Sequence, residues 1–540
     1  MTRTPTVSPD TVLATLALEE KVAQLLMPTA NVDEHPEAFV EAFGAGGVLL
    51  SRKLSRDPDE LHGFVRRAQH RSLDRAGLPL LIAADQEGGN NALIRDRATQ
   101  VPSNMGLGAT FTPTAAREAA AILATELRAV GVNWDFAPVV DVNNNAENPV
   151  IGVRSFGDDA ETVAEFAAAA VRGFQENHVI ACAKHFPGHG DTTVDSHVAL
   201  PRVDHERARL DELELVPFRA AIAAGVESVM TSHVLFPAID PERVVTLSRA
   251  ALEGLLRGEL GFRGLVVTDA LEMRAIADAY SFEDATIEAL AAGSDVVLTG
   301  YEVEKNVRIH RAVVDAVRAG RIPLRRIDES LARVLAAKQR AGAPEGDPAT
   351  VRSPAMQHRA LELARRTITL VRDDERALPI PTDLGDRLVV VSFIASAATK
   401  METWTTTPNE LGMQAAARAK GALDIQIADP AAGATRERIL RAAERAAVVV
   451  VATLNAVLDP SQVSLLEAIR DRSRAKIVVV ATRMPYDLVR MPWARTFVAA
   501  YTSVAPVMAA TAEVLFGERR APGRLPVAIP GLYPRGHRLS

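Results

Sequence analysis

The chain has 540 residues, of which 48% are hydrophobic and 24% charged, and its formal net charge is −7. That length exceeds what one hydrophobic core usually serves, so two domains are expected, and the mixture is that of a soluble globular protein. Acids and bases are interspersed with no basic stripe, which argues against a nucleic-acid partner, and the lone cysteine, Cys182, excludes an intrachain disulfide.

The first ten residues are polar and carry two prolines, Pro5 and Pro9. No apolar signal-peptide core follows a basic start, and no run reaches membrane-spanning length, so the expected location is the cytoplasm with no membrane partner. The expected state is a monomer or weak homodimer. From Thr11 the pattern Val12, Leu13, Leu16, Leu18, Val22, Leu25, Leu26 predicts helix, with Glu19, Glu20 and Lys21 on the wet side.

Short apolar segments then recur, each separated by a helical stretch. They are Gln24 to Met27, Gly47 to Leu50, Leu78 to Ala84, Val132 to Val140, Val179 to Ala183, Ser228 to Thr231, Leu265 to Thr268 and Asp295 to Leu298. Between them lie Ala- and Arg-rich helices such as Ala115 to Val130, Ala160 to Gln175 and Glu206 to Ala224. About eight strand-helix alternations predict an α/β fold with an N-terminal (β/α)8 TIM-like barrel; one large doubly wound sheet is the alternative. Most predicted strands end in polar or ionisable residues: Asp85, Asp141, Lys184-His185, Ser232-His233 and Asp269. In a barrel those ends share one rim, where such folds keep their chemistry.

The segment Ala341 to Pro354, rich in Ala, Gly, Pro and charge, reads as a linker. A helix, Ala355 to Arg366, and a strand, Thr367 to Arg372, follow. Then Leu388 to Phe393, Leu423 to Ala428, Ala447 to Thr453, Ile477 to Thr482 and Phe497 to Tyr501 read as buried parallel strands of a C-terminal doubly wound α/β sandwich. The expected division is a barrel domain at 1–340, a linker at 341–354 and a sandwich domain at 355–540. The first strand of the sandwich is followed by Ile394-Ala395-Ser396-Ala397, without the glycines of a phosphate loop, so nucleotide binding there is unsupported.

The densest chemistry lies in Lys184-His185-Phe186-Pro187-Gly188-His189-Gly190-Asp191-Thr192-Thr193-Val194-Asp195-Ser196-His197, predicted as a loop leaving the strand Val179 to Ala183. Asp195 and His197, two apart, fall on one side of an extended loop, where a carboxylate can orient an imidazole and raise its proton affinity. Such a pair gives a proton and takes it back near neutrality; it could equally staple the loop. Asp269 closes Gly264-Leu265-Val266-Val267-Thr268-Asp269, at the tip of a buried strand. It suits a nucleophile, or else a cap for a helix over Ala270 to Ala277. A metal site from His185, His189, Asp191 and His197 is a third reading, but the spacing matches no common zinc pattern and Lys184 would bring a cation to the ion.

These residues carry a resemblance. Lys184 to His197 resembles the signature loop of glycoside hydrolase family 3, in its β-N-acetylglucosaminidase branch. Val266-Val267-Thr268-Asp269-Ala270-Leu271-Glu272-Met273 resembles the family's nucleophile motif. Ile82-Ala83-Ala84-Asp85-Gln86-Glu87-Gly88-Gly89 resembles its sugar-binding motif, and Ile151-Gly152-Val153-Arg154-Ser155-Phe156-Gly157 another. The likeness runs through most of Ala17 to Gly342 and continues more weakly beyond.

The resemblance implies an exo-acting, retaining enzyme on small β-linked N-acetylglucosaminides, such as cell-wall or chitin-derived fragments, with no metal or other cofactor. Asp269 would form a glycosyl-enzyme, and His197, assisted by Asp195, would protonate the leaving oxygen. Asp85, Arg154, Lys184 and His185 would bind sugar hydroxyls, with His233 and Met273 lining the pocket. Two readings stand beside it. Phosphate could replace water as acceptor, because a neutral imidazole does not repel an anion as a carboxylate would. Or the scaffold could be a catalytically silent sugar binder. The chain departs from the family at Asn90 and Leu93, where arginines are usual.

Overall fold

A computed structural model describes residues 13–54, 57–95, 97–194, 199–394, 409–429 and 432–539. Its first strands, all short, are β1 (Leu26–Met27), β2 (Thr29–Ala30), β3 (Gly47–Leu50), β4 (Leu81–Ala84), β5 (Gln86–Gly88), β6 (Asn91–Ala92), β7 (Trp134–Asp135), β8 (Cys182–Phe186), β9 (Ser228–Thr231), β10 (Leu265–Val267) and β11 (Val297–Leu298). Every residue of β3, β4, β8, β9 and β10 is buried, as befits parallel strands covered on both faces. Parallel ladders join β2–β3–β4–β7, β8–β9–β10 and β1–β11; β5 and β6 form an antiparallel hairpin. Isolated parallel bridges, Trp134 to Ile180, Val139 to Lys184 and Val267 to Val296, run between these sheets.

Helices alternate with the strands, and their starts are legible in the chain. Asp57 accepts from the N–H groups of Asp59 and Glu60, with Pro58 opening the helix Pro58–Ala76. Asp159 and Ser281 likewise cap Ala160–Gln175 and Phe282–Ala292. Such side chains satisfy N–H groups that have no partner within the helix. The alanine-rich helices Thr114–Ala129 and Ala160–Gln175 pack closely enough that a Cβ at Gly173 would stand 2.4 Å from the Arg117 carbonyl oxygen.

Three expected elements differ. The strand expected to stop at Ala183 continues to Phe186, because pairing with β9 resumes after a register shift between Ala183 and Phe186. Lys184 and His185 are therefore strand residues rather than loop residues. Of Val132 to Val140 only Trp134–Asp135 is a strand; Pro138 has no N–H for a ladder. Glu206 to Ala224 is two helices, Arg207–Glu212 and Leu215–Ala223, broken at Leu213; Pro217 cannot donate to the Leu213 carbonyl.

The later strands are β12 (Thr369–Asp373), β13 (Leu388–Phe393), β14 (Leu423–Ile427), β15 (Val448–Thr453), β16 (Lys476–Ala481) and β17 (Thr496–Ala499). They make one sheet in the order β12–β17–β16–β15–β13–β14, parallel except for β12 at the edge. β13 and β15 are buried throughout. The predicted linker is tied down at several points. Asn133 Nδ2 donates to the Gly342 carbonyl at 2.8 Å, and the Arg352 N–H to Glu126 Oε1 at 2.8 Å. The six-stranded part meets the earlier one through further bonds: Ser103 Oγ to the Tyr501 carbonyl (3.0 Å), Asn143 Nδ2 to Tyr486 Oη (3.1 Å) and the Ala528 N–H to Asp158 Oδ2 (2.7 Å).

Candidate active site

Asp85, Arg154, Lys184, His185, Asp269 and Met273, drawn from four separate stretches of chain, line a single cavity of about 340 Å³. Asp85 stands one residue past β4, Asp269 two past β10, and Lys184 and His185 lie in β8. Arg154 ends the short 3-10 turn Gly152–Arg154. The strands fix where these groups begin, so little rotamer freedom is left to be lost on binding.

At the centre is Glu87 in β5. Arg154 grips it with Nε and Nη2, both at 2.8 Å, and Lys184 Nζ reaches its Oε1 at 2.7 Å. Lys184 Nζ also donates to Asp85 Oδ1 at 2.8 Å. Burial opposes the charge on Glu87, but Arg154 and Lys184 outweigh it and hold the carboxyl well below its usual range. Burial likewise opposes the charge on Lys184, and Asp85 and Glu87 raise its pKa in spite of it. Glu87 and Lys184 thus both keep their charge, and the bond between them is charge-assisted, shorter and stronger than a neutral one. Asp85 leaves 35% of its side chain exposed beside a lysine that is 2% exposed. The lysine is buried while the carboxylate still faces the cavity.

His185 is oriented from behind. Its Nδ1 donates to Asp141 Oδ2 at 2.7 Å, and Arg154 Nη2 lies 3.3 Å from its Nε2. That assigns the proton to Nδ1 and leaves Nε2 as acceptor. Asp141 also accepts from the N–H groups of His185 and His189, so a buried carboxylate gathers both histidines. Burial, then the neighbouring His185 ring, push His189 down to about 4, and it is neutral at pH 7.

Asp269 Oδ1 accepts the Ala270 N–H at 2.7 Å. The cap alternative fails, because the next helix begins only at Arg274, with Met273 as its N-cap residue. The expectation that His233 lines the pocket is corrected. Its ring is 1% exposed and lies behind the cavity wall, with Nδ1 2.8 Å from Thr246 Oγ1 and Nε2 donating to the Ala270 carbonyl at 3.0 Å. It steadies the backbone beside Asp269. Asp195 and His197 lie outside the described residues. The segment leading to them is anchored by Asn148, whose Nδ2 donates to the carbonyls of His189 and Gly190, both at 2.9 Å.

Several lining or supporting residues were not picked out as site residues by sequence reading. Glu87 sat inside a quoted motif, and Asp141 among the strand-end acids. Glu272, which lines the cavity, sat inside the quoted nucleophile motif; Arg52, Lys53, Asn91 and Tyr301 also line it and carried no such signal. Arg52 lies in the field of Asp85 and Glu87 and hydrogen-bonds Asn91. It brings a cation to a pocket whose Gly-Gly motif lacks one. Asn90 turns away, accepting from Thr502 Oγ1 at 3.0 Å and donating to Ser503 Oγ at 3.4 Å. Leu93 is buried and forms part of the cavity wall. A larger hollow, about 500 Å³, opens at the seam around Asn90, Arg352 and Ser503, and Asp269 takes no part in it. Cys182 is buried in the core, and burial pushes its thiol up to about 12. Among the described residues no helix is long and apolar enough to cross a membrane.

Residues 17–337 match the model of the glycosyl hydrolase family 3 N-terminal domain. The chain is 35% identical over 365 residues to β-hexosaminidase A of Pseudoalteromonas piscicida, an alignment covering 62% of this chain and 61% of that one. It is 33% identical over 399 residues to a β-N-acetylglucosaminidase/β-glucosidase of Cellulomonas fimi, covering 70% of this chain and 69% of the other. Its structure is similar to that of a glycoside hydrolase family 3 β-N-acetylglucosaminidase from Paenibacillus sp. str. FPU-7, with 38% identity, a TM-score of 0.89, and 95% and 99% of the two chains covered.

Proposed function

The chain belongs to glycosyl hydrolase family 3, and from that premise we propose that it is a retaining, exo-acting β-N-acetylglucosaminidase. The observation that carries the reading is the cavity itself. One carboxylate, Asp269, shares that space with a hydrogen-bonded network of Asp85, Lys184, Glu87, Arg154 and His185. Asp269, at a strand tip, would attack the anomeric carbon as the leaving oxygen departs, forming a covalent glycosyl-enzyme. His197, oriented by Asp195, would give its proton to that oxygen and then take one from the incoming water. Retaining glycosidases commonly use a second carboxyl for this role; here an imidazole takes it. Lys184 and Arg154 donate to the sugar's hydroxyls, Asp85 and His185 Nε2 accept from them, and each charged partner strengthens its bond.

The architecture belongs to the same proposal. The bridges that join the N-terminal sheets, together with the β1–β11 ladder, support an eight-membered closed (β/α)8 barrel over residues 1–340. A segment at 341–354 leads to a C-terminal α/β sandwich at 355–540. Asp85 and Asp269 would then share its catalytic rim.

A chromogenic β-N-acetylglucosaminide tests the reading. The wild type turns it over; Asp269→Ala loses at least about a thousandfold in kcat, the scale seen when a reacting group is removed. His197→Ala loses most on substrates with poor leaving groups, where proton donation matters most. No turnover by the wild type would leave the silent binder. Sugar 1-phosphate among the products in phosphate buffer would replace hydrolysis by phosphorolysis.

A further inference from the structure

We propose that His205 is a positioning residue. Through its bond to Asp191 it ties together the two ends of the stretch that carries Asp195 and His197, and so sets how well His197 delivers its proton. The proposal rests on the glycosidase reading above. His205 Nε2 donates to Asp191 Oδ2 at 2.6 Å. In the chain Asp191 comes before Asp195 and His205 after His197, so the bond joins the side on which that stretch departs to the side on which it returns.

Each side is held to a different neighbour. On the departing side Asp141 accepts the His189 N–H at 2.8 Å, and a Cβ at Gly190 would stand 1.7 Å from the Val142 carbonyl oxygen, so the backbone there is pressed against that strand end. On the returning side the Leu235 N–H donates to the Pro201 carbonyl and the Val203 N–H to the Leu235 carbonyl, both at 3.0 Å. The Asp191–His205 bond sets the spacing between these two anchored sides. A stretch held at both ends takes its course from how far apart the ends are, and small misplacements of a reacting group are felt in the rate. Glu214, which packs against Gly188, has a cation of its own in Arg209 at 3.1 Å, so His205 is not needed to neutralise it. His205 keeps 38% of its side chain exposed and Asp191 21%, and a pair that open adds little to global stability. Neither residue lines the Asp269 cavity. Losing the pair therefore leaves the sugar-binding network and Asp269 in place and acts on proton delivery.

The test compares kcat/KM, which reports the steps up to departure of the leaving group, on the methyl and the 2,4-dinitrophenyl β-N-acetylglucosaminides. The methoxy group needs a proton to leave; the dinitrophenolate does not. In His205→Ala the methyl value falls about fivefold, the most that a half-exposed ion pair is usually worth, while the dinitrophenyl value stays within about twofold. Asp191→Ala gives the same split, and the double variant is no worse than either single one, as two halves of one interaction require. Equal losses on both substrates, no loss on the methyl glycoside, or losses that multiply in the double variant each overturn the positioning role while the glycosidase reading stands. A wild type that turns over neither substrate overturns both together.

Discussion

Two buried ion clusters differ in where they sit. Just past β4, Glu87 holds Arg154 and Lys184. Before β11, Asp295 holds Arg257 at 2.6 Å, Arg326 at 2.8 Å and Arg333 at 2.9 Å, and accepts also from Ser330 Oγ and the Val266 N–H. Burial opposes the charge on both carboxylates, and arginines, with Lys184 at Glu87, hold both low in spite of it. By charge and burial alone the two are alike. They differ in what lies beside them. Asp295 is surrounded by its partners and lines no described cavity, whereas the Glu87 cluster opens on one. A perturbed, buried ion cluster is thus no sign of chemistry by itself; the open side is.

The comparison is tested most severely by matched isosteric changes. Asp295→Asn removes the buried anion that three guanidinium groups share, and is expected to lower stability by about 3–5 kcal/mol in denaturant unfolding, as loss of a buried partner does. kcat and KM of the folded fraction stay unchanged. Glu87→Gln removes the anion that fixes Lys184 and Arg154, and is expected to lower kcat/KM about tenfold to a hundredfold, the worth of one to two charge-assisted bonds. Its loss of stability is smaller, because the cavity side admits water. Reversed results, activity lost at Asp295 and stability lost at Glu87, would break the distinction.

Much of this contrast was legible in the chain and some was not. The strand ends announced Asp85, Asp141, Lys184-His185 and Asp269, because an apolar run that stops on an ionisable group is readable without coordinates. The path of Lys184 was misjudged: the register shift after Ala183 lets β8 run on to Phe186, and no periodicity signals a bulge. Asn90 stands where the family usually has an arginine. Its partners, Thr502 and Ser503, lie more than four hundred positions away, beyond the reach of local pattern. Arg52 and Tyr301 enter the cavity from loops whose sequence carries no motif.

The pH dependence sharpens the same contrast from the side of stability. His189 belongs to the open cluster yet is buried, and its folded pKa of about 4 lies below that of an exposed histidine. As pH falls from about 6.5 to about 4 the unfolded chain takes up a proton that the folded one refuses. Stability from this group is therefore full above the unfolded value and falls toward the folded one, by up to about 3 kcal/mol. In thermal melts between pH 7 and pH 4.5 the wild type should lose more than His189→Asn does; parallel curves would remove His189 as the cause.

The smallest effect is expected at the seam. Asn90 bonds Thr502 and Ser503 on the six-stranded side and lines no part of the Asp269 cavity. Asn90→Ala should cost about 1 kcal/mol, the usual worth of a neutral hydrogen bond, and leave kcat/KM within about twofold, since a uniform loss of stability does not touch transition-state binding. Installing the family's cation as Asn90→Arg is the sharper form of the experiment. Thr502 and Ser503 hold residue 90 toward the six-stranded side, so activity is expected not to rise. A gain in kcat/KM would mean that the seam and the cavity communicate, and that Arg52 does not supply the cation this pocket uses.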